Sequence, residues 1–151
     1  MESKLSLYNR QRQVRLSCRV LLLRWQLALR RIRTRGKPLP PSIELSLISS
    51  RAMAALHAEW LQVPEPTDVL SFDHGEVIVC PWVAEKEAPR HHLTTEEEVL
   101  LYGIHGFLHL GGWDDRSRED RSAMEEEQGR LFALARGASA CSRPGRPPGE
   151  H

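Results

Sequence analysis

Cysteine is scarce in this chain, and its placement excludes two classes of protein. Cys18, Cys80 and Cys141 are odd in number, widely separated and never spaced as CxxC. That pattern argues against a disulfide scaffold and against a zinc finger, and it points to a reducing compartment, the cytoplasm. Long apolar runs are missing as well. Val20-Leu21-Leu22-Leu23 is closed by Arg19 and Arg24, far short of the roughly 20 residues that span a bilayer. It reads as the core face of a helix, not as an anchor or a signal peptide, and no membrane partner is expected. No internal repeat is present. What remains is an ordinary globular composition, 40% hydrophobic and 27% charged over 151 residues, sufficient for one domain with a sizeable core.

The formal net charge of +1 conceals an asymmetry. Residues 1–37 carry eleven Lys or Arg (Arg30, Arg31 and Arg33 among them) against a single acid, Glu2; the rest of the chain has ten basic and nineteen acidic residues. A basic segment on a nearly neutral protein is the footprint of a polyanion binder. A solvated helix face whose arginines serve solubility is the competing explanation.

Periodicity orders the elements. Leu5 to Tyr8 reads as a short strand with Asn9 as the turn after it. From about Ser17 to Arg35, Val20, Leu23 and Leu27 recur at helical spacing, widened by Leu21, Leu22, Trp25, Leu29 and Ile32. Gly36 to Pro41 is a stiff connector. Ile43, Leu45 and Leu47 alternate with polar residues as a half-buried strand does. Ser49 or Ser50 caps a helix reaching about Leu61, and Pro64-Glu65-Pro66 forces an extended segment. Val69–Phe72 and Gly75–Cys80 read as strands, and Pro81–His92 as a charged loop without periodicity. Thr94 or Thr95 before three glutamates starts a helix that Gly111-Gly112 stops near Leu110. A last helix spans Arg116 to Gly137, with Asp114 and Asp115 available to cap it. The expected architecture is α+β, a small mixed sheet packed with several helices, in one domain over residues 1–137. Residues 138–151, rich in proline and glycine, are expected to form a disordered tail.

His105-Gly106-Phe107-Leu108-His109 sets two imidazoles at i and i+4, on one face of a helix, where both rings converge on one ion. Gly111-Gly112 lets the chain turn back, and Asp115, just beyond, completes a His-His-Asp set suited to one zinc or another divalent ion per chain. A helical HxxxH is more often a plain structural pair; the double glycine and the aspartates favour the metal. In an HExxH metalloprotease the residue after the first histidine is the general base. Here it is Gly106, so protease chemistry is excluded.

Residues 105–115, HGFLHLGGWDD, resemble the YbeY family of bacterial metal-dependent endoribonucleases, whose motif is HGxLHLxGYDH. Pro66-Thr67-Asp68-Val69-Leu70-Ser71-Phe72 is similar to the family's PTDVLSF signature, and Gly75–Val79 to its GDIxI strand; Met124–Glu127 resembles part of its last helix. The match covers roughly residues 5–137. The resemblance implies a small α+β fold with a zincin-like metal helix, one zinc held by three histidines, and single-strand-specific cleavage in 16S ribosomal RNA maturation and ribosome quality control. It further implies contacts with a small-subunit ribosomal protein and a ribosome-assembly GTPase. Thr67, Asp68 and Ser71 would line the substrate cleft, or else serve as caps and edge-strand hydrogen bonders. Arg30, Arg31 and Arg33 would grip the RNA backbone.

The chain departs from the family pattern at named positions. Asp115 stands where the family has its third histidine; it lowers the charge of the site by one and shifts its preference towards harder ions such as manganese. Leu61 stands at the family's arginine and cannot hold a phosphate, with Trp60 in the aromatic position; His57 replaces an asparagine and reads as a partly exposed helix residue. A non-catalytic ribosome-assembly factor with a structural metal therefore stands beside the endoribonuclease, and a metal hydrolase of a small substrate stands third. His91 and His92 either approach RNA or a metal or merely occupy the loop. Trp25, Trp60 and Trp82 read as core or edge aromatics, and Cys80 as buried.

Overall fold

Alternation of side chains builds the sheet on which the central helix rests. The computed structural model describes residues 2–63 and 65–138. Four strands, β1 (Lys4–Arg10), β2 (Ser42–Ile48), β3 (Val69–Phe72) and β4 (Glu76–Val79), lie in the order β1-β2-β4-β3. β1 and β4 run parallel to β2, with Leu5 opposite Ile43 and Leu45 opposite Val77, whereas β3 pairs antiparallel with β4 at the edge. Ile43, Leu45, Leu47, Val77 and Val79 send their side chains to the main core. Ile78 and Cys80 belong to a second, smaller cluster with Met53. A one-residue slip would exchange these faces, so burial on both sides fixes the register.

Five α-helices pack with the sheet or on one another among the described residues: α1 (Cys18–Arg31), α2 (Ser50–Leu61), α3 (Pro81–Glu87), α4 (Thr95–Leu110) and α5 (Arg118–Arg136). The fold is α+β, as the pattern of the chain implies. Helix α4 is its axis. Its start is fixed by a complete capping box: the Glu97 amide donates to the Thr94 hydroxyl (3.1 Å) and the Thr94 amide to the Glu97 carboxylate (2.9 Å). Val99, Leu100, Ile104, Phe107 and Leu108 are fully buried, which is the all-round apolar character of a helix enclosed by its neighbours. Trp25 of α1 lies against it, fully buried, with its indole N–H donating to the Leu100 carbonyl at 3.0 Å. Gly103 permits this approach, because a Cβ there would stand 2.3 Å from the indole nitrogen.

Several boundaries differ from the expectation. β1 extends through Asn9 to Arg10, since pairing with β2 continues to Ile48. α1 ends at Arg31, where Ile32 turns extended; Arg33–Arg35 is instead drawn against α5 and the end of α4. The buried line of α1 runs through Leu21, Trp25 and Ala28, while Leu23 is exposed. Residues 81–91 are not a loop: Pro81 opens α3, where its missing N–H costs nothing, and a 3-10 turn, Ala88–His91, follows. α5 is capped by Ser117, whose hydroxyl accepts from the Asp120 amide, so neither Asp114 nor Asp115 has that role. Trp25 is core, whereas Trp60 is exposed, its ring centroid 5.3 Å from that of Phe72. Cys80 is buried. Pro64 and residues 139–151, and with them most of the expected tail, lie outside the described residues. Among the described residues no helix is long and apolar enough to cross a membrane.

Gly103→Ala forces its methyl into an immobile indole. It is expected to lower unfolding free energy by about 1–3 kcal/mol, the usual cost of overpacking a core. The urea midpoint reads this, and an unchanged midpoint would mean that α1 and α4 are not in such close contact.

Candidate metal centre

The helical repeat of α4 sets His105 directly below His109. Their Nε2 atoms lie 3.1 Å apart, and the two rings meet edge to face with centroids 4.6 Å apart. Gly111-Gly112 then reverses the chain. Gly112 has a φ of +96°, and a Cβ there would lie 2.2 Å from the Arg35 carbonyl oxygen, so only glycine fits. Past the turn, Asp115 returns with its Oδ2 at 4.0 Å from His105 Nε2 and 3.8 Å from His109 Nε2. The three expected ligands do come together, with their ligand atoms all within 4.8 Å of one another.

Hydrogen bonds on the far side of each ring fix the tautomer. The Nδ1–H of His109 donates to the Trp113 carbonyl at 3.1 Å, and that of His105 to Gln128 Oε1 at 2.8 Å. A carbonyl oxygen can only accept, so each Nδ1 carries a proton, and the neutral form of each ring turns its Nε2 lone pair towards the other ring and the Asp115 carboxylate. Burial, then the neighbouring His105, hold the pKa of His109 below the usual histidine value, although Asp115 opposes them. Two imidazole Nε2 atoms and a carboxylate aimed at one point are the donor set of a divalent cation, with oxygen acceptors behind the rings in the supporting position metal histidines require. The residues fit the ion.

Gly106 has a structural reason. A Cβ on it would stand 2.6 Å from Val77 Cγ1, so α4 presses against β4 at the residue where a protease would carry its base. The site opens into a cleft of about 490 Å³ whose walls include Asp68, Val69 and Ser71 from the β3 side, and Trp113, Asp114 and Arg116 beyond the turn. Asp68 and Ser71 thus stand where the resemblance expects them. Thr67 is not among the lining residues; its hydroxyl lies 3.4 Å from Asp68 Oδ1, which also accepts from the Val69 amide at 2.7 Å. Asp114 braces the turn by accepting from the Asp115 and Arg116 amides.

The arginines stand differently from their expected grip. Arg30, Arg31 and Arg33 do not line this cleft. Arg30 faces Glu2 at 3.7 Å, the Arg31 carbonyl accepts from Arg130, and the Arg33 amide donates to the buried Glu127. Arg33 also gives its carbonyl to the Trp113 indole N–H at 2.7 Å. His91 stays away from the metal set: its Nδ1 lies 2.9 Å from both carboxylate oxygens of Glu98. His57 is half-buried, its Nδ1 bonded to the Glu65 carbonyl. Gln128 is the supporting residue the sequence reading missed. Its one signal is a polar side chain one position past Glu127 on a helix whose buried residues include Met124 and Leu131.

Comparison with known proteins places the chain among relatives of one family. A family model described as "Endoribonuclease YbeY" matches residues 8–135. A protein of Kineococcus radiotolerans named Endoribonuclease YbeY is 38% identical over 128 residues, covering 71% of this chain and 72% of that one. One of the same name from Bifidobacterium animalis subsp. lactis is 32% identical over 117 residues, 64% of this chain and 65% of its own length. The chain therefore spans about two thirds of the length of such relatives. The solution structure of TM1509 from Thermotoga maritima superposes with a TM-score of 0.52 over 92% of this chain and 99% of that one; at 20% identity the likeness is one of fold.

Gln128→Leu leaves the ligands in place but removes the acceptor that orients His105. Metal affinity is expected to fall about 10–100-fold, read by competition with a chromogenic chelator. Undiminished affinity would show that Gln128 does not orient the ligand.

Proposed function

Because this chain belongs to the YbeY endoribonuclease family, we propose that its cleft hydrolyses phosphodiester bonds of single-stranded RNA with one divalent ion, zinc, held by His105, His109 and Asp115. The observation that carries this reading is the pair of Nε2 atoms, from two histidines that line an open cleft, converging with the Asp115 carboxylate. An ion bound there supplies Lewis acidity, polarising a phosphoryl oxygen and making water a better nucleophile.

The chain's own residues do the rest. Nδ1–H donation to Trp113 and Gln128 leaves Nε2 of each imidazole as the ligand position and fixes the ring planes. The walls contributed by Asp68 and Ser71 offer a carboxylate and a hydroxyl to a bound strand. Gly106 provides no base, so proton transfer falls to one of the lining carboxylates or to solvent. As its substrate we take ribosomal RNA, in 16S maturation and ribosome quality control in the cytoplasm, with a small-subunit ribosomal protein and a ribosome-assembly GTPase as partners. Arg30, Arg31 and Arg33, whose side chains lie at or near the surface end of α1, would make backbone contacts outside the cleft.

Leu61 supports the second reading, a ribosome-assembly factor with a structural metal. It is 57% exposed and brings no charge to the position where the family carries arginine. Cleavage of a single-stranded RNA separates the two. The endoribonuclease reading expects chelator-sensitive cleavage that falls more than about a hundredfold in His105→Ala, as loss of several kcal/mol of Lewis-acid stabilisation demands. RNA binding without chelator-sensitive cleavage would contradict it and favour the assembly factor.

A further inference from the structure

Two cations line the metal cleft, Lys37 and Arg116. They are held differently. Arg116 is 89% exposed and has its Nε 3.3 Å from Asp114 on its own turn. Lys37 is 39% exposed and comes from the connector between α1 and β2. Its stem is pinned to the turn that ends the metal helix: the Arg35 amide donates to the Gly111 carbonyl at 2.8 Å, and a Cβ on Gly112 would lie 3.1 Å from the Lys37 Cβ.

The ammonium of Lys37 lies 2.9 Å from Asp73 Oδ1, and Asp73 also lines the cleft. Nothing about the β3–β4 turn needs this bridge. The turn is already closed by the Gly75 amide donating to the Phe72 carbonyl at 2.9 Å and by Gly75 itself, at φ +115°, with no room for a Cβ against the Ser42 carbonyl. Asp73 is 89% exposed, and so exposed a pair is weak and readily exchanged. A lysine ammonium with three donors and a carboxylate partner that water can replace is a ready site for a phosphate oxygen.

We infer that Lys37 is the phosphate-binding residue of the metal cleft and that Asp73 is its resting counter-anion, displaced when the phosphodiester of a single strand enters. The inference rests on the reading of the cleft as an RNA site. It gives the chain, from another part of the sequence, the positive charge that Leu61 does not carry. It also assigns the charge to a residue whose backbone is fixed to the metal turn, rather than to Arg30, Arg31 or Arg33, which do not line the cleft.

Lys37→Met, Asp73→Asn, the double variant and Lys37→Arg test it in the metal-loaded protein, with metal content measured first. The binding probe is a single-stranded DNA oligonucleotide, whose phosphates are those of RNA and which a ribonuclease leaves intact; anisotropy is followed against salt. All four variants are expected to keep their metal. Lys37→Met binds several-fold more weakly, and its slope of log affinity against log salt is shallower by about 0.7, one phosphate contact on a single strand. Asp73→Asn binds more tightly, the double variant behaves as Lys37→Met, and Lys37→Arg retains affinity. Unchanged affinity and slope in Lys37→Met, weaker binding in Asp73→Asn, or no binding by the unaltered chain would each overturn the inference. Cleavage of the RNA version is scored separately: a chain that binds through Lys37 yet cuts no RNA contradicts the endoribonuclease reading alone.

Discussion

Two imidazole nitrogens 3.1 Å apart and facing a carboxylate repel one another when both are unprotonated, unless a cation stands among them. Everything around the site serves to hold that unfavourable arrangement in readiness. The Trp113 carbonyl and Gln128 take the protons of the opposite ring nitrogens, so neither ring can relieve the conflict by tautomerising. Burial lowers the pKa of His109 and so disfavours relief by protonation at that ring. Such an arrangement of donors is what binding energy from an ion would stabilise, so an ion bound there would contribute to folding as well.

Holding it requires a rigid α4, and the sequence provides the rigidity through small residues rather than large ones. Gly103 lets the Trp25 indole reach the helix backbone, Gly106 lets the helix lie on Val77, and Gly112 lets the Arg33–Lys37 segment close over the turn. That segment belongs to the basic stretch of the chain, yet much of its part in the structure is played by backbone groups. Arg33 offers its amide to Glu127 and its carbonyl to Trp113, and Arg35 gives its amide to Gly111. Acids from the rest of the chain meet several of the charges, including Arg35 with Asp120 at 3.6 Å and Lys37 with Asp73. The asymmetry along the sequence is therefore partly cancelled in space, and the excess of positive surface is smaller than residue counting suggests.

How much of this was legible from residues alone follows from the range of each interaction. Ile43-Leu45-Leu47 announced β2 because a period of two is local, and Thr94 with Glu97 announced α4 because a capping box spans three residues. The ligand trio was legible for the same reason: i, i+4 and a glycine turn are short-range geometry. α3 was not, since seven residues are too few for a helical period and its cap, Cys80, makes no side-chain hydrogen bond. The end of α1 at Arg31 was hidden because partners distant in the chain, Glu127 and Gly111, pull the next residues out of the helix. Gln128 and Lys37 were invisible as site residues, as their roles exist only once α5 and the α1–β2 connector have docked on α4.

The central claim is the identity of the three ligands, and X-ray absorption at the metal edge of the purified, metal-loaded protein tests it most directly. The account predicts one ion per chain with two imidazole nitrogens and a carboxylate oxygen in its shell, at about 2.0–2.2 Å for zinc, with the imidazole contribution cut to one ring in His109→Ala. A shell without imidazole scattering, or one unchanged in that variant, would contradict it.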